Sequence, residues 1–199
     1  MSVQPIRQTA PSPSDAETAP ALDGTIVSGP AAKALAALRI ATGLILFWAF
    51  VDKTFGLGYA TPSERAWIEG VSPAEGYLSG VDVGPLEATF HAWAGNLWID
   101  LMFMAGLSGC GLALILGVAL RPTAVAGSSM MLVLWLSQWP PARELSDGSP
   151  SMSTNPLIDQ HVIYAVVMIV VAACGAGRVW GLERVWTRLP FVADRPWLH

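Results

Sequence analysis

The chain has 199 residues, 53% of them hydrophobic and only 13% charged, with a formal net charge of −4 and a mean hydropathy of +0.48. That balance excludes an ordinary water-soluble domain, in which about a quarter of the residues carry charge. What remains is an all-α integral membrane protein, and the nine Trp residues fit it, because Trp favours sites where an apolar body meets a wet edge.

Residues Met1–Pro30 are rich in Pro, Ser, Thr, Ala and Asp and have no signal-peptide-like apolar run. They read as a disordered cytoplasmic tail. A four-helix transmembrane domain is expected over 31–177, with a cytoplasmic segment at 178–199. The first span is predicted from about Ala34 to Phe55, ending at Asp52 and Lys53 and serving as its own insertion signal. Gly56 to Leu97 forms an outer loop with helical signals. Thr61-Pro62-Ser63-Glu64 reads as a capping box stopped by Gly70. Farther on, Leu86, Phe90, Trp93 and Leu97 recur on one helical face, opposite Glu87 and His91, as in an interfacial helix. The second span is expected from about Trp98 to Leu120, long enough to cross the roughly 30 Å hydrocarbon layer. A hairpin at Arg121-Pro122 starts the third, which runs to about Trp139. The fourth is expected from about Pro156 to Gly177, with Asn155 as its N-cap.

With the N-terminus inside, Arg7, Lys33, Arg39, Arg121, Arg178, Arg184, Arg188 and Arg195 lie on the inner side, against Lys53, Arg65 and Arg143 outside. The positive-inside bias therefore predicts both termini on the cytoplasmic side of the membrane. Ala105, Gly109, Ala113 and Gly117 recur every four residues and predict a close helix–helix contact in the second span. Cys110 and Cys174 are isolated in apolar runs, which argues against a thiol–disulfide relay or a zinc site.

Ionisable groups inside or at the ends of spans are the functional leads, because they are costly in a bilayer unless paired or wetted. They gather at the outer end: Asp52 and Lys53 on the first span, Asp100 on the second, Gln138 on the third, and Asp159, His161 and Tyr164 on the fourth. Such a set suits a pocket for a quinone, whose ring needs an apolar slot and whose oxygens need donors and proton sources. Asp100, Asp159 and His161 are the expected proton partners, with Lys53, Tyr164 and Asp52 as binding groups. Each has a structural alternative. Asp100 and Asp159 suit the first turn of a helix, Lys53 and Arg39 can snorkel to the interface or headgroups, and His161 can be satisfied within the bundle. His91 is expected to be solvated. The sequence contains no Gly-rich phosphate loop, haem attachment motif, cysteine-ligand cluster or mid-membrane bis-His pair, so an electron carrier is expected to be a diffusible ligand or to belong to a partner.

Leu38-Arg39-Ile40, Gly43 and Lys53 on the first span, then Asp100 and the run Gly117-Val118-Ala119-Leu120-Arg121, resemble the DoxX family of bacterial membrane proteins over roughly Arg39 to Gly177. The family includes the DoxD-type subunit of thiosulfate:quinone oxidoreductase. The chain departs from the family at Trp48-Ala49-Phe50, where Gly is usual, at Asp100, where Glu is usual, and in its longer outer loop. The resemblance implies a four-helix bundle working with a quinone or a redox protein partner, with thiosulfate as the suggested donor. An acidic outer face disfavours a dianion. The alternative is a non-catalytic subunit that anchors a redox complex through its outer loop. A solute transporter ranks lower, since mid-membrane charges and broken helix pairs are missing. The lipid bilayer is the first partner, and no nucleic-acid partner is expected.

Overall fold

The computed structural model describes residues 29–198, and all the long elements among them are helices. Residues 1–28 of the expected tail lie outside the described residues, while Gly29 and Pro30 open the first helix. The helices are α1 (Gly29–Phe55), α2 (Glu75–Leu78), α3 (Glu87–Trp93), α4 (Leu97–Leu116), α5 (Leu120–Gln138), α6 (Gln160–Ala173), α7 (Glu183–Trp186) and α8 (Pro190–Ala193). The four long ones coincide with the four apolar segments of the sequence. α1 packs along α4, α4 beside α5 and α5 along α6, and α6 returns to α1. Of these, α1 and α4 are long and apolar enough by themselves to cross a membrane.

The shared core is built from Leu46, Met104, Leu107, Leu114, Met131, Met168 and Val171. Contact between α1 and α4 is close because two glycines face each other. A Cβ on Gly43 would lie 2.8 Å from the carbonyl oxygen of Gly111, and one on Gly111 would lie 2.7 Å from the backbone nitrogen of Phe47. This differs from the expected stripe. Ala105 and Gly109 face outward, and a Cβ on Gly109 would meet nothing within 4 Å. The packed face runs instead through Met104, Leu107, Gly111 and Leu114, about 100° around the helix from the small residues one position away.

α6 has 14 residues, about 21 Å at 1.5 Å per residue, and is shorter than the expected Pro156–Gly177 segment. Asn155 does not cap it. The Asn155 side-chain oxygen accepts from the amides of Leu157 and Ile158 at 2.9 and 3.0 Å, closing a turn before the helix. Asp159 is the cap, accepting from the amides of His161 and Val162 at 3.0 and 3.1 Å. Between α4 and α5 the chain reverses within three residues, with Gly117 at φ +67° and Ala119 at φ +50°. Pro122 falls in the first turn of α5, where its missing N–H costs nothing.

At this hairpin end Arg39 is fully buried rather than reaching for headgroups. Its Nη1 donates to the carbonyls of Leu114 and, at 3.0 Å, Ile115. Its Nη2 donates to Val179 at 3.3 Å and Trp180 at 3.0 Å. Leu114 and Ile115 belong to the last turn of α4, where the Leu114 carbonyl has only a long 3.3 Å bond from the Gly117 amide ahead of it. One guanidinium thus joins three segments: α1, the end of α4 and the chain beyond α6. Gly117 makes room for it, because a Cβ there would sit 2.8 Å from Nη1.

At the opposite, Lys53 end, residues 56–97 fold back over the helices. The Thr61–Glu64 signal yields two 3-10 turns, Ser63–Arg65 and Trp67–Glu69, because Ala66 between them is extended. Gly70 stops the second at φ +81°. α3 is shorter than the expected surface helix, since Gly95 at φ +72° breaks it and Leu97 begins α4. Phe90 is buried with Ala74, Leu78 and Val81. The His91 imidazole is not merely solvated, because its Nε2 lies 2.7 Å from the Val81 carbonyl. Asp82 clasps the loop after α5, accepting from the Ser146 amide at 2.7 Å and hydroxyl at 2.6 Å.

Two outcomes test this arrangement. Arg39→Met should lower stability by roughly 2–4 kcal/mol, because it orphans buried carbonyls. Arg39→Lys should recover less than half of that loss, since an ammonium cannot fork between two segments. Gly109→Ala should leave the melting temperature unchanged. Thermal melts of detergent-solubilised protein, followed by Trp fluorescence, would read all three. The second outcome concerns Asp82. The Ser146 hydroxyl and amide hold its carboxyl below the usual carboxylate value, so the clasp is fully present above the ordinary Asp pKa and is lost as pH falls through the depressed one. Amide exchange at Ser146 should therefore accelerate in acid and be pH-insensitive, beyond intrinsic chemistry, in Asp82→Asn.

Candidate functional site

α4 and α5 are tied at the Arg39 end by their hairpin and stand apart at the other end. The space between them is a cavity of about 680 Å³, within the usual size range for small-molecule sites. Ile99, Phe103 and Gly106 of α4 form one wall, and Met130, Leu134 and Gln138 of α5 form the other. Pro73, Tyr77, Leu78 and Trp93 of the folded-back loop roof it, while Lys53 of α1 and His161 of α6 stand in its lining. Met102, Ala126, Ser129 and Val133 also line it, and all four are exposed on the flank of the molecule. The cavity is therefore a cleft open to the side between two apolar helices.

Its polar groups are few and specific. The His161 Nδ1 lies 2.7 Å from Asp159 Oδ2. With the carboxylate ionised, Nδ1 carries the proton and donates to it, leaving Nε2 as the nitrogen without a partner among the described residues. Lys53 Nζ donates to the Pro73 carbonyl at 3.5 Å and sits 5.9 Å from the centre of the Phe103 ring. The Tyr77 hydroxyl and the Ser137 hydroxyl are 2.7 Å apart. Burial pushes the Tyr77 phenol above its ordinary pKa, hydrogen bonds to Ser137 and Gln138 pull it back, and the Asp159 charge raises it further. Tyr77 is therefore a neutral O–H donor at physiological pH.

Not all six sequence-predicted site residues meet here. Lys53 and His161 line the cleft, and Asp159 stands behind His161 as its orienting carboxylate. Tyr164 is partly buried against the helical core and is not in the lining. Asp52 is buried and points its carboxylate at the loop, where the amides of Tyr59, Ala60 and Thr61 donate to it at 3.3, 2.9 and 2.9 Å. Asp100, also buried, accepts from the Ser72 hydroxyl at 2.8 Å. Both acids hold the roof in place. Tyr77 and Trp93 join the site although sequence reasoning did not assign them to it. Trp93 had only its place on the apolar face of α3 as a signal, and Tyr77 had none, because the fold of the loop alone brings it under α5. Among the described residues no group of three or more His, Cys, Asp or Glu is placed to hold a metal ion.

No protein-family model, curated protein or solved structure matches this chain.

The role of Asp52 is directly measurable. Asp52→Ala removes the acceptor for three backbone N–H groups, so amide exchange at Tyr59, Ala60 and Thr61 should rise at least tenfold, the scale of losing about 1.4 kcal/mol of local protection. Exchange in the centre of α5 should not change.

Proposed function

We propose that the chain is a multi-pass protein of a bacterial inner membrane, DoxX-like in its four spans, and the membrane subunit of a quinone-linked oxidoreductase. The lateral cleft would be its quinone site. The membrane reading draws on the surface of all four long helices. Leu44 and Trp48 on α1, Met102 and Leu112 on α4, Val125 and Leu132 on α5, and Ile163 and Ile169 on α6 are all exposed. Apolar bands on every long helix suit lipid contact and would be a liability in water. The positive-inside bias favours both termini in the cytoplasm, with the cleft at the outer leaflet.

The observation that carries the quinone reading is the shape of the cleft: an apolar slot, open sideways, with an imidazole and an ammonium in its lining and a carboxylate behind the imidazole. A ligand dissolved in the bilayer would reach it between Met102 and Val133 without crossing water. Met130, Phe103 and Trp93 would enclose a flat ring. A quinone accepts two electrons and two protons when reduced, the electrons coming from a redox partner or from thiosulfate. His161 suits delivery of a proton from Nε2, with Asp159 fixing the ring and stabilising the imidazolium. The Lys53 ammonium suits donation to a quinone oxygen, while the Tyr77 O–H is engaged on the Ser137 hydroxyl, which itself donates to the Leu134 carbonyl. A second reading, an anchoring subunit without chemistry of its own, is favoured by apolar side chains exposed on the folded loops, Tyr59, Ile68 and Met152 among them.

Purified protein titrated with a short-chain ubiquinone or menaquinone analogue should show saturable quenching of Trp fluorescence. Gly106→Leu should weaken binding about tenfold or more, because a Cβ at Gly106 already comes within 2.9 Å of the Met130 sulfur, and the added side chain would project into the slot. His161→Ala should leave binding within a few-fold and abolish donor-dependent reduction. Quinone binding that is absent, or that is untouched by Gly106→Leu, would eliminate the cleft as the site. Thiosulfate-dependent reduction no faster than a detergent blank would eliminate thiosulfate as donor.

A further inference from the structure

The charge in the cleft is one-sided. Among the described residues, Lys53 is the only formally charged side chain in its lining beside the imidazole of His161, and no carboxylate lines it. The neighbouring acids are committed elsewhere. The Asp52 carboxylate accepts from three loop amides, Asp100 from Ser72, and Asp159 from His161 and two backbone amides. Lys53 makes no ion pair with any of them. An ammonium has three donors, and this one uses a single long bond of 3.5 Å to the Pro73 carbonyl, with the Phe103 ring face as its other neighbour. Of the neutral groups nearby, the Gln138 amide also offers donors, whereas the Tyr77 O–H is donated to Ser137. A cleft with an apolar body, lateral access and a cation short of acceptors is complementary to an amphiphile whose head carries negative charge.

Resting on the quinone reading above, we propose that the cleft selects quinones bearing an ionised ring hydroxyl over neutral quinones of the same size, with Lys53 as the residue that reads the charge. The ring lies in the slot, the phenolate-like oxygen accepts from Nζ, and the tail leaves between α4 and α5. Exchanging the weak carbonyl contact for a charge-assisted bond sets the direction of the preference. The remaining neutral donors set its limit, since they serve either ligand.

The test uses the full chain in a non-ionic detergent and a matched pair of ligands: a 3-alkyl-2-hydroxy-1,4-naphthoquinone, which is anionic at neutral pH, and its 2-methoxy analogue, which is neutral. Dissociation constants come from quenching of Trp fluorescence. The hydroxy compound should bind about tenfold more tightly, the scale of one charge-assisted hydrogen bond in a half-buried site. Lys53→Met should bring the two compounds to equal affinity by weakening only the anion, and Lys53→Arg should keep the preference. Equal affinities in the unmodified protein, or a preference that survives Lys53→Met, would overturn the charge selection while leaving the cleft as a quinone site. Failure of both compounds to bind would overturn the quinone reading itself. The comparison in the unmodified protein decides the matter even if Lys53→Met does not fold.

Discussion

The buried guanidinium of Arg39 is the constraint on which the rest of the arrangement depends. A charge with no exposure to solvent is tolerated only where acceptors surround it, and here the acceptors are carbonyls released by the ends of other elements. Because α4 stops at Gly117, the carbonyls of Leu114 and Ile115 lack the regular helical donors of its interior, and Leu114 keeps only a 3.3 Å bond from the Gly117 amide. Val179 and Trp180 are free because the chain has left α6 and its 3-10 extension. Each backbone end solves the problem of the charge, and the charge solves theirs. The glycines follow from this exchange: Gly117 must lack a side chain to let the guanidinium in, and a Cβ on Gly177 would sit 2.5 Å from the Gly117 carbonyl oxygen.

Pinning the helices together at that end has a consequence at the other. α4 and α5 leave a three-residue hairpin and are held to α1 and α6 by different partners, Gly43 and Phe47 on one side and Met168 on the other. Their inner faces are engaged on opposite neighbours, and the cleft lies between them toward the Lys53 end. The folded-back loop then closes its top. That roof is fastened by acids that are scarce elsewhere in the helical part of the molecule: Asp52 through three amides, Asp100 through Ser72, and Asp82 through Ser146 from the next loop. The tight end and the open end are two results of the same packing.

The hydropathy of the sequence was enough to locate four helices, the hairpin at Arg121-Pro122 and the gathering of polar residues at one end. It was not enough to orient those residues. Period-four small residues in α4 are visible as a pattern, but which of two adjacent stripes meets α1 depends on where Gly43 lies on the partner helix, and no one-dimensional pattern contains that. Arg39 looked like an interfacial cation because its acceptors come from positions 114 and 179, far away in the chain. Asn155-Pro156 looked like a helix start because an Asn side chain caps a turn and a helix with the same geometry; only Asp159, four residues later, is followed by continuous helical bonding. Tyr77 carried no signal, as its role arises from a loop whose path is decided by tertiary contacts.

The division of labour among the acids explains why the site is better read by its unused donors than by its carboxylates. Asp52, Asp100 and Asp159 accept backbone or side-chain hydrogens outside the lining, and none of them lines the cleft to meet a ligand directly. What faces the cleft is a pair of donors, Lys53 and Gln138, beside an imidazole whose Nε2 has no partner among the described residues. Under the proposed function, proton movement would be confined to one nitrogen oriented by one carboxylate, and charge recognition would fall to one ammonium on a different helix. On that reading the two tasks fall on residues of different helices, α6 and α1, so each can be altered separately by substitution.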